Sequence, residues 1–417
     1  MKSLLRITYL SMVLMMPLTP IWAQTSWSVQ NSGTTDHLIA VQFLDANNGF
    51  ATGMNGTVIK TSDGGDTWSS VSVPADAPVT DLSFIDNNTG WVSLGDVNSS
   101  DNSGSIWKTT DGGATWSNQP YSSKRARLGI SFNDPTTGWV CGARNGPMDV
   151  AKTTDGGATY SEQSNGSIFG WTYKIDAVSS TDVWTVGGAF FPSVTGLIIH
   201  STNGGNSWNT QNTGTIPFTY DVEAVDDQVI YVTGDAGFVM GTKDGGNSWN
   251  TQTTGTKDPL WRLSFSDSVT GLVCGDNGTI ISTDDGGASW SAESSGVSVK
   301  LNGIFMLDDI TAWAVGDGGT LLKRALTVSN SDLQNDVISV RIHPNPASDI
   351  ARVTLSEMPS INNMQFELYD VAGNRILVKD VNEIQFTLSV DQLSKGMFYY
   401  ALKNNNVLLR GGKLFVQ

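Results

Sequence analysis

Cysteine, histidine and positive charge are all scarce in this chain of 417 residues. With two cysteines and three histidines, scattered along the sequence, the chain lacks the ligand spacing of a metal site. Lys and Arg number 24 against 40 Asp and Glu, which gives a net charge of −16. Binding to nucleic acid requires a positive surface for the phosphates, so the composition excludes a nucleic-acid partner.

Long hydrophobic runs are also missing after the N-terminus. Residues 1–23 contain Lys2 and Arg6, then an apolar run, then "PIWA" before Gln24, which is the pattern of a cleaved secretory signal peptide. No other run approaches the roughly 18 apolar residues of a membrane-spanning helix. No G-x-x-x-x-G-K phosphate loop and no G-x-S-x-G nucleophile turn occurs either. We therefore expect an exported chain with no transmembrane segment after cleavage and no cofactor.

Glycine and tryptophan, by contrast, are abundant, and both recur in a ten-residue phrase such as "TSDGGDTWSS". An Asp or Asn that can hydrogen-bond nearby backbone amides is followed by two glycines that allow positive φ, and then by an aromatic anchor. A calcium loop would need an oxygen ligand where the second glycine stands, so a structural hairpin turn is favoured. The phrase occurs six times, and its acidic or amide positions are Asp63, Asp111, Asp155, Asn203, Asp244 and Asp285.

These positions recur at a mean step of 222/5, or about 44 residues, which is typical of propeller blades. A second phrase of the type "GWVCG…KTT" precedes each turn and occurs seven times, once more than the turn itself. The N-terminal "SWSVQNSGT" (26–34) matches the strand that follows each turn. The sequence therefore predicts an all-β fold, a seven-bladed β-propeller over 24–324, whose last blade is closed by the N-terminal strand.

The ten-residue phrase resembles the Asp-box of bacterial neuraminidase repeats, and the whole of 26–324 resembles the Ycf48-like propellers, named for a photosystem II assembly factor. The shared residues, "GW.VG…G.I..T.DGG.TW", are framework, so the resemblance implies the fold and does not carry the photosynthetic role. Within such a ring, Cys141 and Cys274 occupy the same strand position three blades apart. That separation exceeds the roughly 7 Å bridging limit, so two buried free thiols are predicted.

The repeat stops after Arg324, and we predict a linker over 325–336 followed by a small immunoglobulin-like β-sandwich over 337–417. The segments "PNPASD" (344–349), "LYDVAGNRI" (368–376) and "LSKGMFYY" (393–400) resemble the type A sorting domain of Bacteroidetes proteins exported by the type IX (Por) system. The resemblance implies that the type IX machinery is a partner and that the chain is secreted or attached to the outer surface. Its sorting-signal positions are Pro344, Asn345, Pro346, Asp349, Gly373, Gly396 and Lys413.

For the propeller the sequence favours a non-catalytic binding or scaffold module, a monomer, with an unknown protein or glycan ligand, and a purely structural surface protein is the alternative within the same class. The loops opposite the Asp-boxes differ most among blades, and variable loops on a rigid scaffold tend to carry function. The predicted ligand contacts are Lys124, Arg125, Arg127, Arg144, Trp171, Phe190, Phe191, Trp261 and Arg262.

The alternative function is a secreted glycoside hydrolase of the sialidase or endoglucanase type. A pair of carboxylates on inner strands would perform that chemistry. The candidates for such a pair are Asp81, Asp176, Asp221 and Glu223.

Overall fold

The computed structural model describes residues 24–96, 104–121, 125–142, 148–163, 168–189, 194–327, 340–356, 364–370, 375–404 and 407–417. The signal peptide predicted for residues 1–23 lies outside these ranges. The regular secondary structure of the described residues consists of β-strands and three short 3-10 turns. It divides into two compact units, one containing Thr25–Ala325 and the other Leu326–Gln417. No helix in the described part is long and apolar enough to cross a membrane.

The first unit begins with β1 (Gln24–Gln30) and continues with six sets of four strands. These are β2 (Leu38–Phe43), β3 (Gly49–Gly53), β4 (Val58–Thr61), β5 (Ser69–Ser70); β6 (Val79–Phe84), β7 (Gly90–Gly95), β8 (Gly104–Thr109), β9 (Ser117–Asn118); β10 (Arg127–Phe132), β11 (Gly138–Gly142), β12 (Asp149–Thr153), β13 (Ser161–Glu162); β14 (Trp171–Ala177), β15 (Val183–Ala189), β16 (Thr195–Ser201), β17 (Asn209–Thr210); β18 (Thr219–Ala224), β19 (Ile230–Gly234), β20 (Val239–Thr242), β21 (Asn250–Gln252); β22 (Leu260–Phe265), β23 (Gly271–Gly275), β24 (Ile280–Thr283), β25 (Ser291–Glu293). The seventh set contributes β26 (Leu301–Met306), β27 (Ala312–Gly316) and β28 (Leu321–Thr327). The 3-10 turns are Asp235–Gly237, Asp276–Gly278 and Asp317–Gly319.

Each set of four strands is one antiparallel sheet in chain order, and the seventh sheet has the order β26, β27, β28, β1. Inner strands of successive sheets contact each other from β2 through β26, and β26 contacts β2. The predicted seven-bladed propeller is therefore confirmed, as is its closure by the N-terminal strand. β28 runs to Thr327, so it continues three residues into the segment predicted to be the linker.

The closing strand makes the same contact with its neighbour as the outer strands of other blades do. The Trp27 indole N–H donates to Glu293 Oε2 at 2.7 Å, just as Trp290 donates to Gln252 Oε1 at 2.9 Å in the preceding blade. In addition, Arg324 donates to both oxygens of Glu293, at 3.0 and 2.8 Å. The junction between blades 6 and 7 thus contains a bidentate ion pair, which fixes the geometry of the contact as well as stabilising it.

The Asp-box forms the predicted turn, and its hydrogen bonds explain its composition. Asp63 Oδ1 accepts the Thr67 N–H at 2.9 Å, while Thr61 Oγ1 accepts the Gly65 N–H at 2.9 Å and donates to Asp63 at 2.8 Å. Gly64 and Gly65 have φ of 75° and 93°, which only glycine adopts readily. The bonds from Thr67 lower the pKa of Asp63 to about 2.

The core lies between the blades, where the first, second and third strands of neighbouring sheets contribute buried side chains. Trp91 is fully buried and stacks on Phe132 of the next blade at 3.7 Å, and Trp313 stacks on Phe43 across the closure at 3.4 Å. The glycine before Trp91 is required by the packing of Phe84, its partner on β6, since a Cβ on Gly90 would lie 2.3 Å from the Phe84 ring. Both cysteines are buried free thiols, as predicted.

The second unit is the predicted antiparallel sandwich. Its strands are β29 (Val340–His343), β30 (Ile350–Leu355), β31 (Met364–Tyr369), β32 (Arg375–Asp380), β33 (Gln385–Ser389), β34 (Gly396–Asn404) and β35 (Val407–Val416). One sheet has the order β29, β30, β33 and the other β32, β31, β34, β35. Val353 and Phe386 from the first sheet and Phe366 and Leu402 from the second belong to one buried cluster between the two sheets. This packing is that of a β-sandwich.

Candidate functional site

The propeller channel begins with a row of aromatic side chains at the end opposite the Asp-boxes. Every inner strand has a register shift near its start, which leaves one bulged residue. In blades 4, 5 and 6 this residue is Tyr173, Tyr220 or Trp261. The Tyr220 and Trp261 rings stack at 4.1 Å, and the Tyr173 and Tyr220 rings meet edge to face at 5.5 Å. We call Tyr173, Tyr220 and Trp261 the aromatic mouth.

Two of these side chains, Tyr220 and Trp261, are held in place by 3-10 turns. Tyr220 Oη donates to Asp235 Oδ1 at 2.6 Å, and Trp261 Nε1 donates to Asp276 Oδ1 at 2.7 Å. Each acid begins the 3-10 turn that follows the second strand of the same blade. Lys300 Nζ lies 3.4 Å from the centre of the Trp261 ring, and burial lowers the pKa of Lys300. Half-buried rings with fixed orientation and a neighbouring cation form a preorganised contact surface.

The predicted basic cluster is only partly accessible. Arg127 is fully buried, with its Nη1 3.2 Å from Asp149 Oδ1 and its guanidinium over the Tyr121 ring. The prediction that Arg127 contacts a ligand is therefore wrong, because no ligand on the loop face can reach it. Arg125 remains half-buried and shares the same acid at 3.6 Å. Four other predicted contacts, Lys124, Arg144, Phe190 and Phe191, lie outside the described residues.

The remaining predicted contacts, Trp171, Trp261 and Arg262, belong to the inner strands of blades 4 and 6. Trp171 is half-buried and packs, together with Tyr173, against Ala126 and Leu128 of blade 3. Arg262, one residue after Trp261, is 8% exposed and donates to the Trp261 and Tyr220 carbonyl oxygens at 3.1 and 3.4 Å. The structure thus brings Trp261 and Arg262 to the channel, with Arg262 beneath the mouth instead of on the loop face.

Below the mouth, four charged residues occupy the position after the bulge, and we call them the charged ring: Asp81, Lys174, Asp221 and Arg262. Lys174 Nζ is 2.8 and 2.7 Å from the two Asp81 oxygens. Asp81 also accepts the Ile130 N–H at 3.0 Å, and Asp221 Oδ2 accepts the Leu263 N–H at 2.9 Å. These acids therefore link successive inner strands as well as carrying charge.

Two residues further along the inner strands, six polar side chains each accept a backbone N–H from the next blade. We call them the bridging ring: Gln42, Ser83, Ser131, Asp176, Glu223 and Ser264. Asp176 accepts the Ala224 N–H at 2.8 Å, and Glu223 accepts the Phe265 N–H at 3.2 Å, in the same way as Ser83 accepts the Phe132 N–H at 3.0 Å. An inner strand is a sheet edge, and these bonds satisfy N–H groups that its sheet leaves unpaired. Phe305 takes this position in blade 7.

The charged ring and the bridging ring line a chamber of about 360 Å³. Burial raises the pKa of Asp221 to about 6. Burial, and secondly the negative charge of Asp176, raise the pKa of Glu223 well above its ordinary value. Burial also raises the pKa of Asp176. Among the described residues, no three His, Cys, Asp or Glu side chains are grouped as a metal site.

The sequence identified Asp81, Asp176, Asp221 and Glu223 as inner-strand carboxylates, but it gave no sign of their bonds to the next blade. The bonds between neighbouring blades join residues 42–49 positions apart. The accepting side chain also differs from blade to blade and can be Gln, Ser, Asp or Glu. An alignment of the seven repeats by their register shifts would have placed the acceptors in one column. The bulged residues of the aromatic mouth would have formed another.

In the second unit the predicted sorting segment is paired with the end of the chain. The Phe415 N–H donates to Asn345 Oδ1 at 2.8 Å, and Asn345 Nδ2 donates to the Lys413 carbonyl at 3.2 Å. Ala347 forms a parallel bridge with Val416. Asn345 and Lys413 are thus neighbours, and Pro344 and Pro346 flank Asn345 in the sequence. Asp349 precedes β30, and its carbonyl accepts the Val390 N–H at 2.8 Å. Gly396 lies at the start of β34 with φ of 145°, while Gly373 is outside the described residues.

Comparisons with known proteins agree with this architecture. A solved structure described as YCF48 bound to D1 peptide has a TM-score of 0.58 and 19% identity, covering 72% of this chain and 97% of that one. YCF48 from Cyanidioschyzon merolae has a TM-score of 0.59 and 18% identity, covering 72% and 99%. A GH74 xyloglucanase from Xanthomonas campestris has a TM-score of 0.58 and 11% identity, covering 79% of this chain and 60% of the enzyme. At these identities the likeness concerns the fold alone. None of the curated proteins matches the sequence.

Two family models match the sequence itself. The model for the secretion system C-terminal sorting domain matches residues 341–417. The model for photosynthesis system II assembly factor YCF48 matches residues 19–124 and 122–258, which together span 19–258, or 240 of the 417 residues. The chain therefore belongs to the YCF48 family of β-propellers and carries a secretion-system sorting domain after its propeller.

Proposed function

We propose that this protein is exported to the outer surface of the cell and there binds an extended peptide segment of a partner protein at the aromatic mouth. The observation that carries the proposal is the stacked pair of Tyr220 and Trp261, with Lys300 Nζ over the Trp261 ring. Aromatic side chains held rigid supply contact area at little cost in conformational entropy, and they dominate many binding surfaces.

The chemistry of the mouth fits a peptide better than a highly charged ligand. Its rings offer apolar stacking, while Asp235 and Asp276 lie beside them as hydrogen-bond acceptors. Peptide amides and apolar side chains match that mixture of acceptors and rings. A YCF48 structure is described as bound to D1 peptide, and from it we carry over only the class of ligand, a peptide. Trp171 beside the opening and Arg262 directly beneath it are proposed as supporting contacts.

Catalysis is not part of the proposal. The inner-strand carboxylates that a glycoside hydrolase would use each hold a backbone N–H of the next blade. Serine or glutamine performs the same task in other blades, which supports a structural role for Asp176 and Glu223. We further propose that the protein acts as a monomer and that the type IX machinery recognises its sorting domain.

The test is a peptide and glycan array probed with the purified full chain, followed by affinity measurements on the peptides retained. Trp261→Ala should weaken binding by about 30-fold or more, because central aromatic contacts contribute roughly 2 kcal/mol each. Asn206→Ala, at an exposed Asp-box position on the opposite end, is the matched control and should bind like the parent. Circular dichroism confirms that each variant is folded.

Two results would count against the proposal. If Trp261→Ala binds the retained peptides as tightly as the parent does, the aromatic mouth is not the site. If the array retains glycans and no peptide, the ligand class is wrong.

A further inference from the structure

The chamber lined by the charged ring and the bridging ring has more acidic than basic side chains. Four of its lining residues are carboxylic acids, and two, Lys174 and Arg262, are cationic. With all six ionised, the chamber has an excess of two negative charges. Charge buried between low-dielectric walls is costly unless a counter-charge or a proton neutralises it. The raised pKa values of Asp176, Asp221 and Glu223 are the expected response of such a site.

One oxygen in this chamber has no partner. Asp221 is 3% exposed and lines the chamber, and its Oδ1 makes no hydrogen bond with any described residue. Its other oxygen accepts the Leu263 N–H at 2.9 Å. A buried carboxylate oxygen without a donor is unfavourable, so this position calls for a hydrogen-bond donor from outside the chain.

The carboxylates are arranged at two levels. Asp221 and Glu223 lie two residues apart on β18, so they are separated by about 7 Å along the strand. Asp176 lies in the neighbouring blade at the level of Glu223, where both belong to the bridging ring. Lys174 and Arg262 balance Asp81 and Asp221 within the charged ring, so the negative excess lies at Asp176 and Glu223. A ligand that satisfies the chamber therefore needs a hydrogen-bond donor at Asp221 Oδ1 and positive charge at the level of Asp176 and Glu223.

We propose that the chamber binds a short aliphatic diammonium ion, with one ammonium group at Asp221 Oδ1 and the other between Asp176 and Glu223. Two primary ammonium groups joined by four carbons span about the distance between the two levels. The chamber of about 360 Å³ accommodates such a molecule together with water, and it falls in the size range of small-ligand pockets. This site extends from the charged ring to the bridging ring, below the aromatic mouth.

The charge state of the chamber predicts how binding depends on pH. A diammonium ion prefers ionised carboxylates, so binding should release protons and weaken as the pH falls through about 6, the pKa of Asp221. Glu223 and Asp176, with raised pKa, contribute in the same direction. Lys174 and Arg262 stay charged, and the buried thiols Cys141 and Cys274 stay neutral because burial raises their pKa to about 12.

Isothermal titration calorimetry of the full chain with three probes tests the proposal. At pH 7.5, 1,4-diaminobutane should bind saturably, 1-aminobutane about tenfold more weakly, and butane-1,4-diol not at all. Buffers of different ionisation enthalpy should reveal proton release. 1-Aminobutane also represents the end of a lysine side chain, so an equal affinity for it would overturn the proposal and indicate a site for protein lysines.

Two variants locate the site. Glu223→Gln replaces the carboxyl group that the diamine would bind in its ionised form, but it keeps an oxygen that accepts the Phe265 N–H, and it should weaken diamine binding by about tenfold. Asp155→Asn removes one charge at an exposed Asp-box position, where Asn203 serves naturally in the next blade, and it should bind like the parent. Absence of saturable diamine binding, or an equal loss in both variants, would overturn the proposal.

Discussion

At the scale of single residues, this propeller performs one task with several side chains. The bridging ring uses Gln42, Ser131 or Asp176 to accept the same kind of N–H from the next blade. The Asp-box likewise tolerates Asn203, whose Oδ1 accepts the Ser207 N–H at 2.8 Å. What each position requires is an oxygen at a fixed place. A negative charge at the position is not needed for this hydrogen bond, and only some blades have one.

This view predicts how an Asp-box responds to substitution. Asp63→Ala should lower the melting temperature by about 2 °C or more, because it removes the acceptor for the Thr67 N–H, and Asp63→Asn should lower it less. The folded pKa of Asp63, about 2, is depressed below the unfolded value. The stability that its charge provides is therefore present above about pH 4 and is lost as the pH falls through about 2.

Thermal melts of the parent and both variants at pH 7 and pH 2.5 measure this effect. The difference between the parent and Asp63→Asn should shrink at the lower pH, while the difference from Asp63→Ala should persist. A parent-to-Asn difference that is the same at both pH values would contradict the prediction.

At the scale of elements, the decisive strand is β1. It completes the seventh sheet from the far end of the sequence, so that β28 has a partner instead of an open edge. Ser32, just after β1, adds a hydrogen bond from its Oγ to the Gly319 carbonyl at 2.6 Å. The propeller is therefore closed by hydrogen bonds between residues from the two ends of its sequence.

Removing the closing strand should strongly destabilise the propeller. Deletion of residues 24–34 is expected to lower the melting temperature by about 10 °C or more, because it exposes the β28 edge and the apolar surface under Trp27. The point variant Trp27→Ala should cost roughly 2 kcal/mol, less than a fully buried tryptophan would. Differential scanning calorimetry gives both values, and Val29→Ala is the matched control, because the Val29 side chain is 66% exposed on the same strand. A deletion variant that melts within a degree or two of the parent would disprove closure as a source of stability.

The sequence correctly predicted the features that the repeat encodes. The Asp-box predicted the turns, and the match of "SWSVQNSGT" to later strands predicted the partner of β28, because both patterns recur with constant spacing. It was misleading for Arg127, which looked like part of a surface cluster but is buried against Asp149. Contacts between blades join residues more than 40 positions apart, so local patterns contain little information about them. The chamber and the aromatic mouth depend on those contacts.

At the scale of the whole molecule, the chain joins two units with separate tasks. The propeller holds the aromatic mouth and the chamber, and the sandwich has its own buried core, which includes Phe366 and Leu402. A unit with its own core can fold without the other. The sorting motifs lie in the sandwich, where Asn345 holds the last strand through the Phe415 N–H.

The separation of tasks predicts the outcome of removing the sandwich. In a bacterium that has the type IX system, a chain lacking residues 337–417 should remain in the periplasm as a folded propeller, whereas the full chain should reach the surface. Cell fractionation with surface protease treatment measures the distribution, and circular dichroism with the melting temperature verifies the propeller. Residues 337–417 fused to a periplasmic reporter protein serve as the converse control and should carry the reporter outward. This expectation follows from the proposal that the type IX machinery recognises the sandwich alone, through the segment in which Asn345 is hydrogen-bonded to the final strand. Equal surface amounts of the full and shortened chains would show that the propeller itself determines export.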